Sequence, residues 1–514
     1  MEFGIDAIDY YLPNIALPIV SLAEKRDIIP AKLEKGLGLK YMALADVNED
    51  TASMAANALL NLIENNKIDP TSIGRIYLGT ESAVDAAKPT ATYAVGTVEK
   101  ILFKKYGSRC FKNCDVVDLT FACIGGIDAV ENCLDWIRIN PEKKAIVIAS
   151  DIAKYELASS GEYTQGAGGG ALLIKQNPRL LEIPDCFGVS TTPVHDFFKP
   201  RRNVSIHSVI TNVMQLAQET GQTVKKGLVG RMIKHLPEST VRKLGIFAHG
   251  ENSVNVHRDE PIFDGQFSNR CFQTAVRQAF KNFVKKAKSN GRYDCEVDER
   301  FTEQWSRIIM HLPYAFQAKR MFPDIFRHDR IGTPEWELIV KKIGEPPIET
   351  ESKDAKVIEA WEKEMDNYRR AISKTEEYIE FHASRIEKGQ RASSLIGNQY
   401  TGSIFLALMS TFESDLEANC NLDGDYFGLC GYGSGAKAKV FEAKVNPRWR
   451  EVVSRWHLFE RLGGRVAIDQ ITYESLHKGT QDKSVISPNG EFALVEIGEE
   501  GVMEGSRHYE WISV

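Results

Sequence analysis

Hydrophobic and polar positions change their period within residues 116–130. An apolar run that begins at Val116 predicts a buried strand. A cysteine and two glycines follow it and predict a turn. Apolar residues then recur at helical spacing, at Ile127, Val130, Leu134 and Ile137. The pattern therefore places Cys123 where a strand hands over to a helix.

Other segments of the first half show the same helix and strand patterns. Residues 51–66 have the spacing of an amphipathic helix. Two apolar runs predict strands that end in carboxylates, residues 75–80 before Glu81 and residues 145–150 before Asp151. A glycine-rich segment, residues 164–170, leads into a further predicted strand.

The second half of the sequence weakly repeats this order of helices and strands. Residues 271–288 predict a helix, and residues 307–310 predict a strand that ends in His311. Residues 393–403 predict a strand that passes into a helix and contains Asn398, and a glycine-rich stretch, 431–435, leads into an alternating strand. Two similar α/β halves would bring four side chains to equivalent strand ends around one pocket: Glu81, Cys123, His311 and Asn398.

Two segments lie outside the repeat. Residues 201–258 are predicted to be an inserted helical segment, so the predicted domains are 1–200, 201–258 and 259–514. This insert is either a solvated surface or a docking site for an acidic partner or a phosphate-bearing ligand. Residues 345–390 are rich in Glu and Lys and predict one long exposed helix. The basic residues of the insert are Arg201, Arg202, Lys225, Lys226, Arg231, Lys234, Arg242, Lys243 and Arg258.

The composition is that of an ordinary soluble protein, with 43% hydrophobic and 26% charged residues. Its 514 residues allow two or three core-forming units. A net charge of -6 argues against a nucleic-acid or anionic-membrane partner for the whole chain. Residues 1–17 lack the basic region of a secretion signal, and no apolar run approaches the roughly 20 residues that span a bilayer.

Nine cysteines contain no Cys-x-x-Cys pair, so the sequence predicts neither a disulfide framework nor a zinc ribbon. A reducing compartment fits this pattern. Cys110 and Cys114 lack nearby histidines and do not predict a metal site. The glycines at 431–435 precede a strand rather than a helix, which argues against a dinucleotide site, and there is no P-loop.

The candidate chemistry rests on a cysteine, a carboxylate and a histidine. A thiol at the N-terminus of a helix, as predicted for Cys123, lies at the positive end of the helix macrodipole, which favours the thiolate. Glu81 is the candidate base, and His311 is the candidate group that activates and protonates an acceptor. Such a set fits acyl transfer followed by carbon–carbon bond formation. The plainer alternatives are a buried structural cysteine, an exposed carboxylate and one of eleven ordinary histidines.

Several ordered segments resemble the 3-hydroxy-3-methylglutaryl-CoA synthase family, whose members have the thiolase fold. The resemblance implies an α/β, thiolase-like fold, with two similar halves in an αβαβα layered arrangement and an inserted helical segment. The segments that carry it are residues 79–88, 122–126, 150–153, 164–168, 195–200, 261–268, 311–314 and 397–403.

The same resemblance implies a role for each matched residue. Glu81 is the implied general base, Cys123 the nucleophile and His311 the histidine that binds the acetoacetyl group. Asn398 is implied to contact the acceptor, and the backbone N–H groups of Cys123 and Ser403 are implied to form the oxyanion hole. The other residues implied to support or bind the substrates are Asp85, Asp151, Thr164, Asp196 and Tyr314, with Lys319 and Arg320 near the CoA phosphates.

The implied reaction joins acetyl-CoA to acetoacetyl-CoA through an acetyl-Cys123 intermediate and gives 3-hydroxy-3-methylglutaryl-CoA. It would be an early step of the mevalonate pathway, which makes isoprenoid precursors. Both thioesters are substrates, so neither a cofactor nor a metal is expected. We also expect a cytoplasmic protein that forms a homodimer, as thiolase-fold relatives do.

Departures from the family pattern leave the carrier of the acceptor open. Phe316 stands where the family usually has a lysine, Ile124 replaces a common tyrosine, and Thr120 and Phe121 are an unusual pair. One alternative is an enzyme that acts on acetoacetyl groups held on an acyl-carrier protein in polyketide β-branching, which the basic insert favours. Another is a non-catalytic thiolase-fold scaffold subunit, against which the joint presence of Cys123, Glu81 and His311 argues.

Overall fold

The strands that position the candidate residues belong to one mixed sheet. A computed structural model describes residues 2–221, 227, 253–291, 300–348, 350, 352 and 354–513. The strands of these residues, in chain order, are β1 (Phe3–Tyr11), β2 (Ile15–Pro18), β3 (Tyr41–Leu44), β4 (Ile73–Gly79), β5 (Asp115–Leu119), β6 (Lys144–Ala153), β7 (Gly166–Gln176), β8 (Leu181–Glu182), β9 (Gly188–Thr191), β10 (Phe197–Phe198), β11 (Arg202–Ser205), β12 (Ser253–Val256), β13 (Ile262–Phe263), β14 (Trp305–Met310), β15 (Tyr426–Gly433), β16 (Lys437–Val445), β17 (Val466–Ala467), β18 (Glu491–Ile497) and β19 (Arg507–Ile512).

Helices cover both halves of the sequence. In chain order they are α1 (Ile19–Lys25), α2 (Pro30–Leu37), α3 (Thr51–Asn65), α4 (Thr90–Tyr106), α5 (Gly125–Ile139), α6 (Ile206–Glu219), α7 (Gly265–Ser289), α8 (Gln317–Met321), α9 (Pro323–Arg330), α10 (Pro334–Ile343), α11 (Ala355–Ile372), α12 (Glu376–Arg385), α13 (Glu387–Ile396), α14 (Ser403–Glu417), α15 (Trp449–Val453), α16 (Leu458–Gly463) and α17 (Gln470–Lys478). Short 3₁₀ helices lie at Pro70–Ser72, Glu162–Thr164, Phe301–Glu303, Tyr400–Gly402 and Gly501–Met503.

The ten-stranded sheet runs in the order β14-β15-β16-β8-β1-β7-β6-β4-β5, with β9 paired to β16. Strands β5, β4 and β6 are parallel, and so are β14 and β15. Gly79 lies opposite Leu119 across β4 and β5. Since the carboxyl ends of parallel strands meet at one edge of a sheet, the segments that contain Glu81 and Cys123 leave the sheet side by side.

Several predicted elements of the first half are confirmed. The helix over 51–66 is α3, whose N-terminus is fixed by a capping box between Asp50 and Ser53. Most of its residues are buried, because the helix packs on the sheet and carries the β18–β19 hairpin on another face. The strands before Glu81 and Asp151 are β4 and β6, although β6 continues through Asp151 to Ala153.

Three details of the predicted elements are wrong. Strand β5 is half-buried rather than buried, because it is the edge of the sheet. Residues 393–396 belong to helix α13, not to a strand, because Ala392 and Ile396 are buried as this helix packs along α14. The long helix predicted over 345–390 is divided among α11, α12 and the start of α13.

Residues Phe197–Ile262 form a second unit, separate from the unit made of residues 1–196 and 263–514. Within the smaller unit, β11 and β12 pair antiparallel, and Ser205 caps α6 by accepting the Ser208 amide. Residues 1–196 and 263–514, which contain most of the two predicted halves, form the larger unit, and both contribute strands to the ten-stranded sheet. Six basic residues of the predicted insert lie outside the described residues: Lys225, Lys226, Arg231, Lys234, Arg242 and Lys243.

The three-domain division of the sequence stays a prediction. In the described part of the chain, no helix has an apolar stretch long enough to span a bilayer.

Candidate active site

Cys123 lies in the turn between β5 and α5, as the apolar pattern predicts. The Ile124 amide donates to the Phe121 carbonyl oxygen at 3.2 Å, and Ala122 has a φ of 41°, in the left-handed region. Cys123 is 9% exposed, and α5 begins two residues later. The thiol is therefore held at the N-terminus of a helix by a tight turn.

The Cys123 Sγ donates a hydrogen bond to the Glu81 Oε1 at 3.1 Å. The hydrogen bonding between β4 and β5 continues to the residue before Glu81, because the Thr80 amide donates to the Leu119 carbonyl oxygen at 3.2 Å. A side chain on Gly79 would place its Cβ 2.3 Å from the Gly126 amide nitrogen, so glycine is required for this close approach. The two candidate residues of the first half are thus in direct contact.

Asp151 lies beneath this pair and is fully buried. Its Oδ1 accepts from the Thr80 hydroxyl at 2.8 Å and from the Glu81 amide at 2.9 Å. Its Oδ2 accepts from the amide of Thr401 at 3.0 Å and from the hydroxyl of the same residue. Burial raises the pKa of this carboxyl group, while the four donors oppose the rise. Asp151 therefore positions the Glu81 backbone instead of facing a substrate.

Asn398 is buried beside Thr164. The Asn398 amide donates to the Thr164 carbonyl oxygen at 2.9 Å, and its Oδ1 accepts from the Tyr400 amide at 2.8 Å. The Ser403 hydroxyl also donates to this Oδ1, at 3.0 Å. The acceptor side of Asn398 is thus used within its own loop, which directs its side-chain N–H groups elsewhere.

Tyr155 is a buried residue of the site that the sequence patterns did not reveal. Its hydroxyl is hydrogen-bonded to the side chains of Asn398 and Thr164. Burial raises the pKa of this hydroxyl well above its ordinary value, and the nearby Cys123 and Glu81 raise it further. Tyr155 therefore connects the Cys123–Glu81 pair to the Asn398 loop. A single aromatic residue after β6 carries no period or motif that would identify it.

His311 follows β14, and its amide donates to the Cys430 carbonyl oxygen at 3.0 Å. The ring is buried, and neither ring nitrogen has a hydrogen-bond partner among the described residues. Burial lowers the pKa of His311 to about 3, so the imidazole is neutral at neutral pH. A neutral imidazole keeps one N–H donor and one acceptor nitrogen for a ligand.

The end of β15, the strand next to β14, packs on the turn that holds Cys123. A Cβ on Gly433 would lie 2.6 Å from the Phe121 carbonyl oxygen, so the two backbones are in close contact. A Cβ on Gly431 would likewise meet the Ile127 side chain. The second half of the sequence therefore contributes directly to the surroundings of the thiol.

Asp196 is buried and accepts the Tyr432 hydroxyl at 2.6 Å and the Gly435 amide at 2.7 Å. The Tyr432 ring lies 4.6 Å from the Phe272 ring, which is stacked 6.5 Å from the His311 ring. The contacts of Asp196 thus reach His311 through two aromatic rings. Asp196 is accordingly a positioning residue.

Asp85 lies in the loop after β4, where its Oδ1 accepts the amides of Ala87 and Lys88, both at 2.8 Å. These backbone hydrogen bonds lower the pKa of its carboxyl group. The Tyr93 hydroxyl also donates to Asp85, at 3.1 Å. Asp85 therefore shapes the loop that carries Glu81.

Ser403 begins α14, and its amide donates to the Tyr400 carbonyl oxygen within a 3₁₀ turn. The Ser403 Oγ accepts from the Gln399 amide at 2.9 Å. In this structure the amide expected to form part of an oxyanion hole is therefore engaged in a local hydrogen bond. The Ser403 assignment stays a prediction.

Lys319 and Arg320 are exposed on α8 and line a cavity of about 960 Å³. Arg320 also donates to the Gly36 carbonyl oxygen at 2.8 Å, and its guanidinium carbon lies 5.6 Å from the Tyr314 ring centroid. Tyr314 is nearly buried. Phe316 lines the same cavity. The residues predicted to lie near CoA phosphates are thus together at one opening.

The arrangement combines a thiol and a carboxylate in contact, a neutral buried imidazole and a nearby tyrosine–asparagine pair. A thiol paired with a carboxylate can lose its proton to it and attack a carbonyl carbon. Within the described ranges no group of three His, Cys, Asp or Glu side chains could hold a metal ion.

Two family models match the sequence. Hydroxymethylglutaryl-coenzyme A synthase N terminal matches residues 1–178, and hydroxymethylglutaryl-coenzyme A synthase C terminal matches residues 254–484. A hydroxymethylglutaryl-CoA synthase of Haloferax volcanii is 26% identical over 518 residues, which cover 99% of each chain. One from Enterococcus faecalis is 24% identical over 485 residues, which cover 94% of each chain.

Solved structures are similar over the same length. The structure of MvaS in complex with 3-hydroxy-3-methylglutaryl coenzyme A is 26% identical, with a TM-score of 0.74 over 99% of both chains. A curacin biosynthetic pathway HMG synthase in complex with apo donor-ACP is 18% identical, with a TM-score of 0.67 over 100% of both chains, and this likeness concerns the fold alone. The predicted α/β, thiolase-like fold is confirmed.

Proposed function

The chain belongs to the hydroxymethylglutaryl-CoA synthase family, and from this membership we propose that it joins acetyl-CoA to acetoacetyl-CoA. The products are 3-hydroxy-3-methylglutaryl-CoA and free CoA, and one water molecule is consumed. The single observation that carries the proposal is the 3.1 Å hydrogen bond between the Cys123 thiol and the Glu81 carboxylate.

The first step is transfer of the acetyl group to Cys123. The thiolate attacks the thioester carbonyl carbon of acetyl-CoA, the carbon–sulfur bond to CoA breaks, and CoA leaves as a thiol after taking up a proton. The proton that the Cys123 thiol loses balances the proton that CoA takes up, so Glu81, which the Sγ contacts, enters the next step as a carboxylate. The position of the thiol at the N-terminus of α5 favours the thiolate.

The second step forms the carbon–carbon bond. The Glu81 carboxylate removes a proton from the methyl group of acetyl-Cys123, and the resulting enolate attacks the ketone carbon of acetoacetyl-CoA. The neutral His311 donates an N–H hydrogen bond to the ketone oxygen and passes this proton to the alkoxide that forms, and the proton that Glu81 took from the methyl group then restores His311 to its neutral form. Asn398, oriented by its loop, contacts the acceptor. Hydrolysis of the Cys123 thioester then releases the product.

Product mass spectrometry tests the reaction. The purified protein mixed with acetyl-CoA and acetoacetyl-CoA should form 3-hydroxy-3-methylglutaryl-CoA, and Cys123→Ala should form none. Absence of product together with absence of acetylated Cys123 would contradict the proposal and favour the scaffold subunit.

The second candidate is an acceptor held on an acyl-carrier protein. Nine basic and three acidic residues in 201–258 favour it, because carrier proteins are acidic and meet their partners through charge. The same experiment separates the two candidates. Acetylated Cys123 without product from acetoacetyl-CoA, followed by product from acetoacetyl carrier protein, would select the second.

We place the reaction in the mevalonate pathway of a reducing, cytoplasmic compartment. Nine cysteines without a Cys-x-x-Cys pair support a reducing compartment. We further propose that two copies form a homodimer, for which β5, whose partner strand among the described residues is β4, offers an edge. The two thioesters are substrates, and the roles assigned to the two halves need no cofactor.

A further inference from the structure

The cavity beside α8 carries a large excess of positive charge. Eight of the side chains that line it are cationic, and three are carboxylates. Two of these carboxylates already belong to ion pairs, Glu362 with Arg270 at 2.9 Å and Asp366 with Arg369 at 2.8 Å. Glu359 is the third carboxylate, so the cations of the lining still outnumber its carboxylates by five, which suits an anionic ligand.

One wall of the cavity is α11, a helix to which the sequence patterns assigned no chemistry and which carries cations as well as the three carboxylates of the lining. Lys363, Arg370 and Lys374 all line the cavity and are exposed. Their spacing of seven and four residues places them on one side of the helix and of the turn that follows it. Among the residues that the structure describes, none of these three cations takes part in an ion pair.

Beneath the cavity, arginine side chains also outnumber carboxylates. Arg369, which lines it, shares the buried Asp324 with Arg277 and Arg327, at distances of 3.6, 2.9 and 3.7 Å. The buried Nε atoms of all three arginines have no hydrogen-bond partner within the described ranges. Because Arg369 also pairs with Asp366, the three guanidinium groups share two carboxylates, which leaves one positive charge in excess under the cavity.

Another wall of the cavity, formed around α8, carries the aromatic ring of Phe316. Phe316 donates its amide to the Leu37 carbonyl oxygen at 3.0 Å, and its ring lies against Gly38, whose Cβ would be 2.6 Å away. A phenyl ring provides no charge for a phosphate. Lys319 and Arg320 are the cations that remain on this wall.

The cavity lies next to the site of the reaction. Gln273 of α7 lines the cavity, and the adjacent Phe272 is stacked against His311 at 6.5 Å. A ligand held by its phosphates in the cavity would need a long, flexible arm to reach His311. Coenzyme A has this form, because its phosphorylated nucleotide is joined to the reactive sulfur by a pantetheine arm.

We propose that Arg370 and Lys374, with Lys363, bind the phosphates of the nucleotide half of the CoA thioesters. This inference rests on the proposed function, because it concerns the substrates of the same site. It makes α11 a specificity-determining element that distinguishes CoA thioesters from shorter thioesters.

A purely structural role for these cations predicts a different result. Arg370 and Lys374 stand at the carboxyl end of α11, where positive side chains stabilise the helix dipole. Their removal would then lower the stability of the protein and would affect every substrate equally. The choice of thioester therefore separates the two roles.

The test compares Cys123 acetylation by acetyl-CoA and by S-acetyl-pantetheine, which lacks the nucleotide. In Arg370→Gln/Lys374→Gln we expect the acetyl-CoA concentration for half-maximal acetylation to rise roughly ten- to a hundredfold, since each charged contact accounts for about a factor of ten. The maximal acetylation rate and the reaction with S-acetyl-pantetheine should not change. Lys341→Gln/Lys356→Gln is the matched control, because it removes the same charge from residues outside the cavity.

Three results would overturn the inference. The first is an unchanged half-maximal concentration in Arg370→Gln/Lys374→Gln, and the second is an equal rise in the control. The third is an equal rise with S-acetyl-pantetheine, which would indicate a structural role. Failure of the unsubstituted protein to be acetylated by either thioester would contradict the proposed function itself, and acetylation by a carrier protein alone would overturn the assignment to nucleotide phosphates.

Discussion

The Asp151 carboxylate accepts the backbone amide of Glu81 at 2.9 Å, so the candidate base is held in place by a fully buried acid. The same carboxylate accepts both the amide and the hydroxyl of Thr401 on its other oxygen. It therefore joins the end of β4 to the loop that contains Asn398. This junction connects the two halves of the sequence beneath the reacting groups.

Replacement of Asp151 by Asn should weaken this junction. An amide has one acceptor oxygen, and its NH₂ group would face the donors of Thr80 or Thr401, which leaves buried donors unpaired. We expect Asp151→Asn to lower the free energy of unfolding by about 2 to 3 kcal/mol. Urea denaturation measures this loss. Asp482→Asn, which changes an exposed residue, is the control.

The positioning role of Asp151 also predicts that its replacement slows the two chemical steps unequally. Formation of the carbon–carbon bond should slow more than acetylation of Cys123, because Asp151 holds the backbone of Glu81 rather than that of Cys123. Equal slowing of both steps would contradict this role.

Glu81→Gln should separate the two chemical steps. The amide keeps the shape of the side chain next to the Cys123 Sγ but cannot remove a proton from the acetyl methyl group. We expect acetylated Cys123 to accumulate while product formation falls by about 10² to 10⁴-fold. Intact-protein mass spectrometry after mixing with acetyl-CoA measures the acetylated Cys123, and a product assay measures the rate of product formation. A Glu81→Gln protein that condenses at the normal rate would exclude Glu81 as the base.

The sequence predicted Cys123 and Glu81 together because both follow parallel strands, and parallel strands fix where their ends lie. The structure brings their side chains into hydrogen-bond contact, as that argument requires. By contrast, Tyr155 joins the site through its hydroxyl alone, and no periodic pattern marks one buried aromatic residue.

The errors in the second half have a tertiary origin. Residues 387–396 form α13 because Ala392 and Ile396 are buried against α14, and short apolar runs do not distinguish a strand from a buried helix. The β18–β19 hairpin was likewise absent from the predicted elements. It lies on α3 through a pair of hydrogen bonds between Asn57 and the backbone of Phe492, a long-range contact that local patterns do not contain.

Burial of His311 should make the stability of the protein depend on pH. Its folded pKa is lowered from 6.5 to about 3, so the unfolded chain binds the proton first as the pH falls. This contribution to stability is complete above pH 6.5 and is lost as the pH falls from 6.5 toward 3. Between pH 7.5 and pH 5, the free energy of unfolding of His311→Gln should therefore fall by about 2 kcal/mol less than that of the unsubstituted protein.

Urea denaturation at the two pH values measures this difference. The exposed His457 provides the control, and His457→Gln should follow the unsubstituted protein. Equal losses in His311→Gln and the unsubstituted protein would contradict a neutral buried His311.

The Tyr11 hydroxyl lies 2.5 Å from the Glu49 Oε1 and 2.7 Å from the Glu491 Oε2, and one hydroxyl proton cannot serve two ionised carboxylates. One carboxyl group must therefore keep its proton. Burial, the largest cause, raises the pKa of Glu49 from 4.5 to about 7. The stabilisation that the raised pKa of Glu49 provides is complete below pH 4.5 and is lost as the pH rises toward 7. The pH dependence is therefore opposite to that of His311.

Glu49→Gln should remove this loss, because the amide is neutral at every pH and can still accept from Tyr11. Between pH 5 and pH 8 we expect the unsubstituted protein to lose about 3 kcal/mol more stability than Glu49→Gln. Urea denaturation measures the difference, with the exposed Glu64→Gln as the control. Since Glu491 begins β18, the protection factors of the β18 amides, which compare observed with intrinsic exchange rates at each pH, should also fall at pH 8 in the unsubstituted protein but not in Glu49→Gln. Parallel pH dependence of the two proteins would show instead that Glu49 is ionised throughout this range.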